Sequence, residues 1–142
     1  MGKTYCNKKI ETEIYHKLLD IVPDLMIIEE SGKSKVNGYM DLSLDILSRC
    51  PDRLIIALSH YYSHPSGDLI PDPDMEIAVF PQKELAEAMT YQDSFGFWAI
   101  ADYEGEAQRK CLRNLNLFLS QWLTNLIEQG HHVQQEIPAT NR

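Results

Sequence analysis

The alternation of apolar and polar residues predicts β-strands in the middle of the chain. From Met40 to Ile46 every second residue is apolar, and acidic or hydroxyl residues fill the positions between them. A period of two places the apolar side chains on one face of a half-buried strand. The turn residues CPDR at 50–53, followed by the apolar run LIIALSHYY, predict a second strand that forms a hairpin with the first.

A helical spacing of apolar residues predicts a first helix near the start of the chain. Asn7 is the predicted N-cap, and Pro23 ends the helix after about Val22. The apolar stripe of this helix consists of Ile10, Ile14, Leu18 and Ile21.

The same spacing predicts a long terminal helix from about Glu104 to Gln129, with Gly130 as its C-terminal stop. Two histidines follow this stop, and we interpret His131 and His132 as positive charges that favour the helix end rather than as metal ligands. The apolar positions of the helix are Leu112, Leu115, Leu119, Trp122, Leu123, Leu126 and Ile127.

The segments between these elements are predicted from turn residues and propensity. The run LMIIEE is either a short strand or a connector closed by a turn at 31–32, and a proline-rich loop is expected from His64 to Pro73. Alternation from Met75 to Val79 predicts a further strand. Residues 84–91 are compatible with a helix or a strand, and we predict a strand because strands flank them; FGFWAIADY is a strand as well.

This order predicts a single α+β domain over residues 1–132, followed by a polar, mobile tail over 133–142. An antiparallel sheet of about five strands would pack against the two helices as a two-layer sandwich. A chain of 142 residues suits one domain of this kind. No apolar run is long enough to span a bilayer and the first residues lack a secretory signal, so a cytoplasmic protein is expected. Three widely spaced cysteines are expected to be reduced.

Several segments resemble a family of small bacterial proteins. The segment KLLDIVPDL, the proline-rich approach GDLIPDPDM into DPDMEIAVFP, and the terminal LNLFLSQWLTNLIEQGH are similar to the YqiB-like proteins and their relatives in mobile elements. Those families are domains of unknown function. The resemblance therefore implies a cytoplasmic α+β domain, and it implies no activity.

The charge of the chain is concentrated in its middle. Between residues 54 and 108 one base, Lys83, stands against ten acids: Asp68, Asp72, Asp74, Glu76, Glu84, Glu87, Asp93, Asp102, Glu104 and Glu106. The whole chain has a net charge of -8. Direct nucleic-acid binding requires a basic surface, so this balance disfavours it and instead favours a protein partner with a basic surface.

We therefore interpret the chain as a non-enzymatic protein-interaction module without a cofactor; no complete catalytic motif is present, and no membrane partner is expected. An inhibitor that mimics nucleic acid is the most specific form of this hypothesis. We expect the acids to increase the rate of encounter with the partner and the tyrosines to form contacts from which water is excluded. The predicted contact residues are Tyr61, Tyr62, Asp68, Asp72, Asp74 and Glu76.

A metal-binding protein or metal-dependent hydrolase centred on residues 60–76 is the alternative. Imidazoles and carboxylates are ligands for zinc or manganese. On an extended strand His60 and His64 would lie ~13 Å apart, so the alternative requires a turn at Tyr62–Ser63. The candidate ligands are His60, His64, Asp68, Asp72 and Asp74.

Overall fold

The structure, a computed structural model, describes residues 2–136, with side chains described from residue 9 onward. The helices are α1 (Gly2–Ile21) and α2 (Gly105–Gln129), with a short 3-10 helix at Ile100–Asp102 before α2. The strands are β1 (Ser31–Ser34), β2 (Leu42–Arg49), β3 (Leu54–Ser63), β4 (Leu69–Phe80), β5 (Leu85–Ala88), β6 (Thr90–Asp93), β7 (Gly96–Ala99) and β8 (Gln134–Gln135).

All the strands belong to one open antiparallel sheet. Its order is β7-β6-β4-β3-β2-β1-β8, and β5 pairs with β4 beside β6. The α+β class is confirmed, but the predicted sheet of about five strands in a two-layer sandwich is corrected to an open sheet of eight strands over residues 2–136. The additional strands are the short β1 and β8, and one predicted strand is divided into β5 and β6.

The core lies on one face of the sheet. Leu44 on β2, Leu58 on β3 and Met75 on β4 are paired across the strands in one row, and all three are fully buried. Both helices contribute to the same cluster, through Leu18 of α1 and Leu123 of α2 among others. The predicted strands at Met40–Ile46 and 54–62 and their hairpin are confirmed. Residues of opposite parity on these strands lie on the face that neither helix covers.

The first helix begins earlier than predicted. It runs from Gly2, so Asn7 lies inside the helix and is not its N-cap. The apolar stripe is confirmed in Ile14, Leu18 and Ile21, which are fully buried. The helix ends at Ile21, one residue short of the predicted end and two residues before Pro23, which disfavours helical geometry in the residue that precedes it.

The LMIIEE segment is a connector and not a strand, but the polar residues that follow it do not form the predicted turn. They form β1, which pairs with β2 on one side and with β8 on the other. A Cβ at Gly32 would lie 2.6 Å from Val133 Cγ1 and 2.8 Å from the Gln134 carbonyl oxygen. The glycine therefore permits the close approach of the returning chain.

The predicted loop from His64 to Pro73 is shorter in the structure. β4 begins at Leu69, so only residues 64–68 connect β3 to β4. Tyr61 pairs with Pro71 and Ser63 with Leu69, which extends the hairpin beyond the core. Proline residues are tolerated here because the cross-strand ladder is irregular between Ser59 and Tyr61.

The prediction of strand for residues 84–91 is confirmed as two strands, β5 and β6, separated at Met89. The Met89 N–H donates to the Glu76 carbonyl at 2.8 Å, which continues the pairing with β4 through the break. In FGFWAIADY only Gly96–Ala99 is extended, and the 3-10 helix follows.

The terminal helix is confirmed almost residue for residue. Trp122 is 6% exposed within the core, and Gly130 adopts the left-handed conformation at φ 91° that ends the helix. The chain then returns to the sheet: Val133 is buried, and Gln134–Gln135 form β8. The expected mobile tail therefore stays a prediction only for residues 137–142, which lie outside the described residues. Within residues 2–136 neither helix is long and apolar enough to cross a membrane.

Candidate functional site

The helix-free face of the sheet gathers carboxylates from three strands, β2, β4 and β5, and from the residue after β8. Its acidic members, which we call the acidic face, are Asp45, Asp74, Glu76, Glu87 and Glu136. Lys33 on β1 is the base that lies among them, and its charge acts on Asp45. The strands position Asp45, Asp74, Glu76 and Glu87 by simple alternation, since each of these acids is adjacent to a core residue and must point away from the core.

Small residues separate the carboxylates at the centre of this face. Asp45 on β2 pairs with Ala57 on β3, and Ala57 pairs in turn with Glu76 on β4. One step along, Ser59 pairs with Asp74. Because Ala57 and Ser59 are short, the carboxylates on β2 and β4 stand on either side of a shallow trough along β3, with no large side chain between them.

The like charges of the acidic face act on one another. The pKa of Asp45 is raised above its usual value, first by partial burial and then by the negative charges of Asp74 and Glu136; Lys33 opposes this shift. A carboxylate among like charges is stabilised by any cation that approaches it. The face is therefore suited electrostatically to receive positive charge.

Tyr61 marks the end of the trough. Its hydroxyl donates a hydrogen bond of 2.6 Å to Oδ2 of Asp74. Burial, this hydrogen bond and the charges of Asp74 and Asp45 raise the pKa of Tyr61 to about 12, so the phenol stays protonated and keeps donating. The ring is 40% exposed, which leaves an aromatic surface beside the carboxylates.

The structure divides the predicted partner contacts into two groups. Tyr61, Asp74 and Glu76 share the acidic face. Tyr62 is the next residue on the strand and points to the opposite side, where it is 39% exposed. Asp68 lies in the connecting turn, where Ser66 Oγ donates to it at 3.2 Å.

Asp72 is exposed before a buried proline, and its negative charge contributes to the raised pKa of Tyr91. Asp45, Glu87 and Glu136 were missed as site residues. The alternation around Asp45 already placed it opposite the apolar face, and that signal could have identified it. The positions of Glu87 and Glu136 depend on strand pairing and carry no local signal.

The five candidate metal ligands do not come together. β3 continues through Ser63, so the turn that would bring His60 towards His64 is absent. His60 is 6% exposed on the helix side, whereas His64 is exposed and its Nδ1 accepts the Ser66 N–H at 3.1 Å. Asp74 lies on the acidic face. Within the described residues no three His, Cys, Asp or Glu side chains are placed to hold one ion.

His60 instead belongs to a buried cluster with His131, which the sequence had suggested would be a charged helix end. His131 is 1% exposed, and the two ring centroids lie 5.9 Å apart. Burial and the neighbouring His60 lower the pKa of His131, with burial the larger cause. The ring is therefore neutral at neutral pH, and the interpretation of His131 as a positive helix end is wrong.

A second surface feature is an open groove of about 460 Å³ between β7 and α2, which we call the aromatic groove. Tyr91 and Trp98 form one wall, with ring centroids 5.8 Å apart. Cys111 is partly exposed here, and its partial burial raises the pKa of its thiol. The lining residues are Tyr91, Trp98, Tyr103, Ala107, Lys110, Cys111, Asn114 and Leu115.

Comparison with known proteins identifies the family. Residues 13–132 match the family described as Domain of unknown function (DUF6908), and the chain belongs to this family. Nothing in this match connects the chain to the YqiB-like proteins or to mobile elements, so that resemblance is not supported. No curated protein and no solved structure shows a significant match.

Proposed function

We propose that this member of the DUF6908 family is a protein-interaction module that binds a basic protein segment on its acidic face. The observation that carries the proposal is that Asp45 on β2 and Glu76 on β4 stand on either side of Ala57, with Asp74 on β4 beside Ser59. A lysine or arginine side chain laid along β3 would have carboxylates on both sides. Tyr61 would supply the desolvated aromatic contact that complements charge in protein interfaces.

The energetics of the face support a binding role over a structural one. Positive side chains that neutralised these carboxylates would stabilise the fold. The positive charge of Lys33 does act on Asp45, but the negative charges of Asp74 and Glu136 act on it in the opposite direction. A basic partner relieves this repulsion when it binds. Charge of this kind mainly increases the rate of encounter and selects the partner, and its effect falls with added salt.

A basic surface that normally holds nucleic acid is one class of partner with the required chemistry. The net charge of -8 and the exposed carboxylates support this more specific form of the proposal. In this form, double-stranded DNA and the protein would compete for one basic surface on the partner.

The test uses a fluorescein-labelled decapeptide of alternating lysine and glycine as a defined basic probe, followed by anisotropy. We expect Asp45→Asn combined with Glu76→Gln to weaken binding at least fivefold in ~50 mM salt, where screening is modest. The matched control is Asp52→Asn combined with Glu128→Gln, which changes the net charge equally at exposed positions away from the acidic face.

We expect the control pair to change the affinity less than twofold. If both pairs weaken binding equally, the peptide responds only to net charge and the acidic face is not the site. Folding of each variant is checked by its circular dichroism spectrum and thermal midpoint, so that a loss of binding is not confused with a loss of structure.

A further inference from the structure

The outer edge of the sheet at β7 has unpaired backbone groups whose identity follows from the strand register. Among residues 2–136, β7 ends the sheet and pairs only with β6. The Ile100 N–H donates to the Met89 carbonyl at 2.9 Å, and Trp98 pairs with Tyr91 two residues along. In an antiparallel ladder the hydrogen-bonded residues alternate, so the N–H and C=O groups of Phe97 and Ala99 point away from β6.

Apart from its short length of four residues, this edge lacks the devices that usually protect exposed strands. Natural edge strands carry lysine, proline or an inward-pointing charge that prevents pairing with another chain. The sequence of β7 is GFWA, with none of these. Phe97 is 55% exposed on one side of the strand and Trp98 is 38% exposed on the other, so an added strand would find apolar contacts on both sides.

The aromatic groove lies beside this edge and provides a place for one side chain. Trp98 forms part of its wall, and Ala107 and Cys111 on α2 form the opposite side. Every second side chain of an added strand would point towards α2 and could enter the groove. Lys110 also lines the groove, so an apolar side chain is favoured there over a cationic one.

The charges at the two ends of β7 are acidic. Asp93 ends β6 just before the turn that leads into β7, and Asp102 and Glu104 follow β7. Residues 93 to 106 include these acids and contain no lysine or arginine. An extended segment alongside β7 would therefore be complementary if basic residues flanked a central apolar one.

We propose that the β7 edge binds an extended peptide segment of a partner protein by strand addition, with one apolar side chain in the aromatic groove and basic residues at both ends. Main-chain hydrogen bonds to Phe97 and Ala99 supply affinity, and the groove supplies specificity, as in other cases of strand addition. This site is separate from the acidic face and does not depend on it.

The decisive variant is Phe97→Pro, because it removes an outward N–H without removing a bond to β6. Proline is tolerated on edge strands where its nitrogen faces solvent. Phe97→Ala is the matched control, since it removes the same aromatic ring but keeps the N–H. Ala107→Trp fills the groove and leaves the edge intact.

The probe is a displayed library of random twelve-residue peptides, selected against the wild-type protein, with the affinity of enriched peptides then measured by fluorescence titration. We expect enriched peptides to carry an apolar centre with basic flanks. We expect at least tenfold weaker binding to Phe97→Pro and to Ala107→Trp, and less than a threefold change for Phe97→Ala.

Three outcomes would overturn the proposal: no enriched peptides, peptides that bind Phe97→Pro as well as wild type, or a wild-type dimer that Phe97→Pro converts to a monomer. The last would show that a second copy of the chain occupies the edge. The pair Asp45→Asn and Glu76→Gln should leave peptide binding here intact, so failure of this site and failure of the acidic face are distinguishable.

Discussion

Ser34 and His131, which are distant in the sequence, meet in the core through a hydrogen bond of 2.8 Å between Ser34 Oγ and His131 Nδ1. The Ser34 oxygen already accepts a hydrogen bond from the N–H of His132 at 2.9 Å. We therefore assign the Ser34 hydroxyl as the donor and Nδ1 of His131 as the acceptor. The neutral imidazole then carries its proton on Nε2, which is buried and has no hydrogen-bond partner of normal geometry. On the other ring, Nδ1–H of His60 donates to the Asp41 carbonyl at 2.8 Å.

This arrangement predicts a loss of stability as the pH falls. The pKa of His131 is lower in the folded protein than in the unfolded chain, mainly because of burial and then because of His60. The unfolded chain therefore binds more protons below its own pKa of ~6.5, and the free energy of unfolding decreases from that pH downward. Asp41, which raises the pKa of His131, only partly offsets the effect.

Urea titrations at pH 7.5 and 5.5 measure this pH dependence. We expect His131→Gln to reduce the difference between the two pH values, because glutamine does not titrate. His64→Gln, in the exposed turn, should leave the difference as it is in the wild type. An unchanged difference in His131→Gln would mean that another group causes the acid sensitivity.

The substitution Trp122→Ala should destabilise the fold by about 3–5 kcal/mol, because a buried indole is replaced by a cavity. The ring is 6% exposed and meets His60 edge to face at 5.5 Å. Trp98→Ala is a matched control, since Trp98 is 38% exposed and should lose only about 1–2 kcal/mol. Asp72→Asn should change stability by less than about 1 kcal/mol. Equal urea midpoints for the two tryptophan variants would contradict the burial of Trp122.

Asn116 ties α2 to the edge of β5 and should be sensitive to truncation. Its Oδ1 accepts the Ala88 N–H at 2.8 Å, and the side chain is 3% exposed. Asn116→Ala leaves that buried N–H without an acceptor, which costs about 1–3 kcal/mol. Asn125→Ala makes the same change at an exposed position on the same helix and should cost less than about 0.5 kcal/mol. Thermal unfolding of both variants compares them, and equal losses would show that the Asn116 bond adds nothing.

Asp45→Asn should stabilise the protein at neutral pH. The folded-state pKa of Asp45 is raised, so its charged form is disfavoured by folding, and stability is gained as the pH falls towards the unfolded value. Removing the charge should give a few tenths of a kcal/mol, about 0.5 at most, because Asp45 is exposed.

The control for Asp45→Asn is Asp52→Asn. The Asp52 carboxylate lies near a positive charge, with 3.9 Å between its Oδ1 and Nε of Arg53. We expect that variant to be unchanged or slightly less stable, by chemical denaturation at pH 7. Destabilisation by Asp45→Asn would show that the carboxylate stabilises the fold and would weaken the argument that the acidic face is kept for binding.

The sequence by itself determined the elements whose signals are local. The alternation from Met40 to Ile46 predicted β2, and the helical spacing with Gly130 predicted α2 and its end, because period and capping depend on residues close together in the chain. The segregation of acids into the middle of the chain was also readable, and it led to the prediction of Asp74 and Glu76 as partner contacts.

Only the tertiary structure decided which of these residues meet. Strand pairing brought Asp74 and Glu136 close enough for their charges to act on Asp45, and the continuation of β3 through Ser63 separated His60 from His64. Pairing with an edge made strands of residues 31–34 and 134–135, which have no strand pattern of their own. The physical reason is that pairing and burial join segments distant in the chain, and the free energy that selects among such pairings belongs to the whole fold rather than to any one segment.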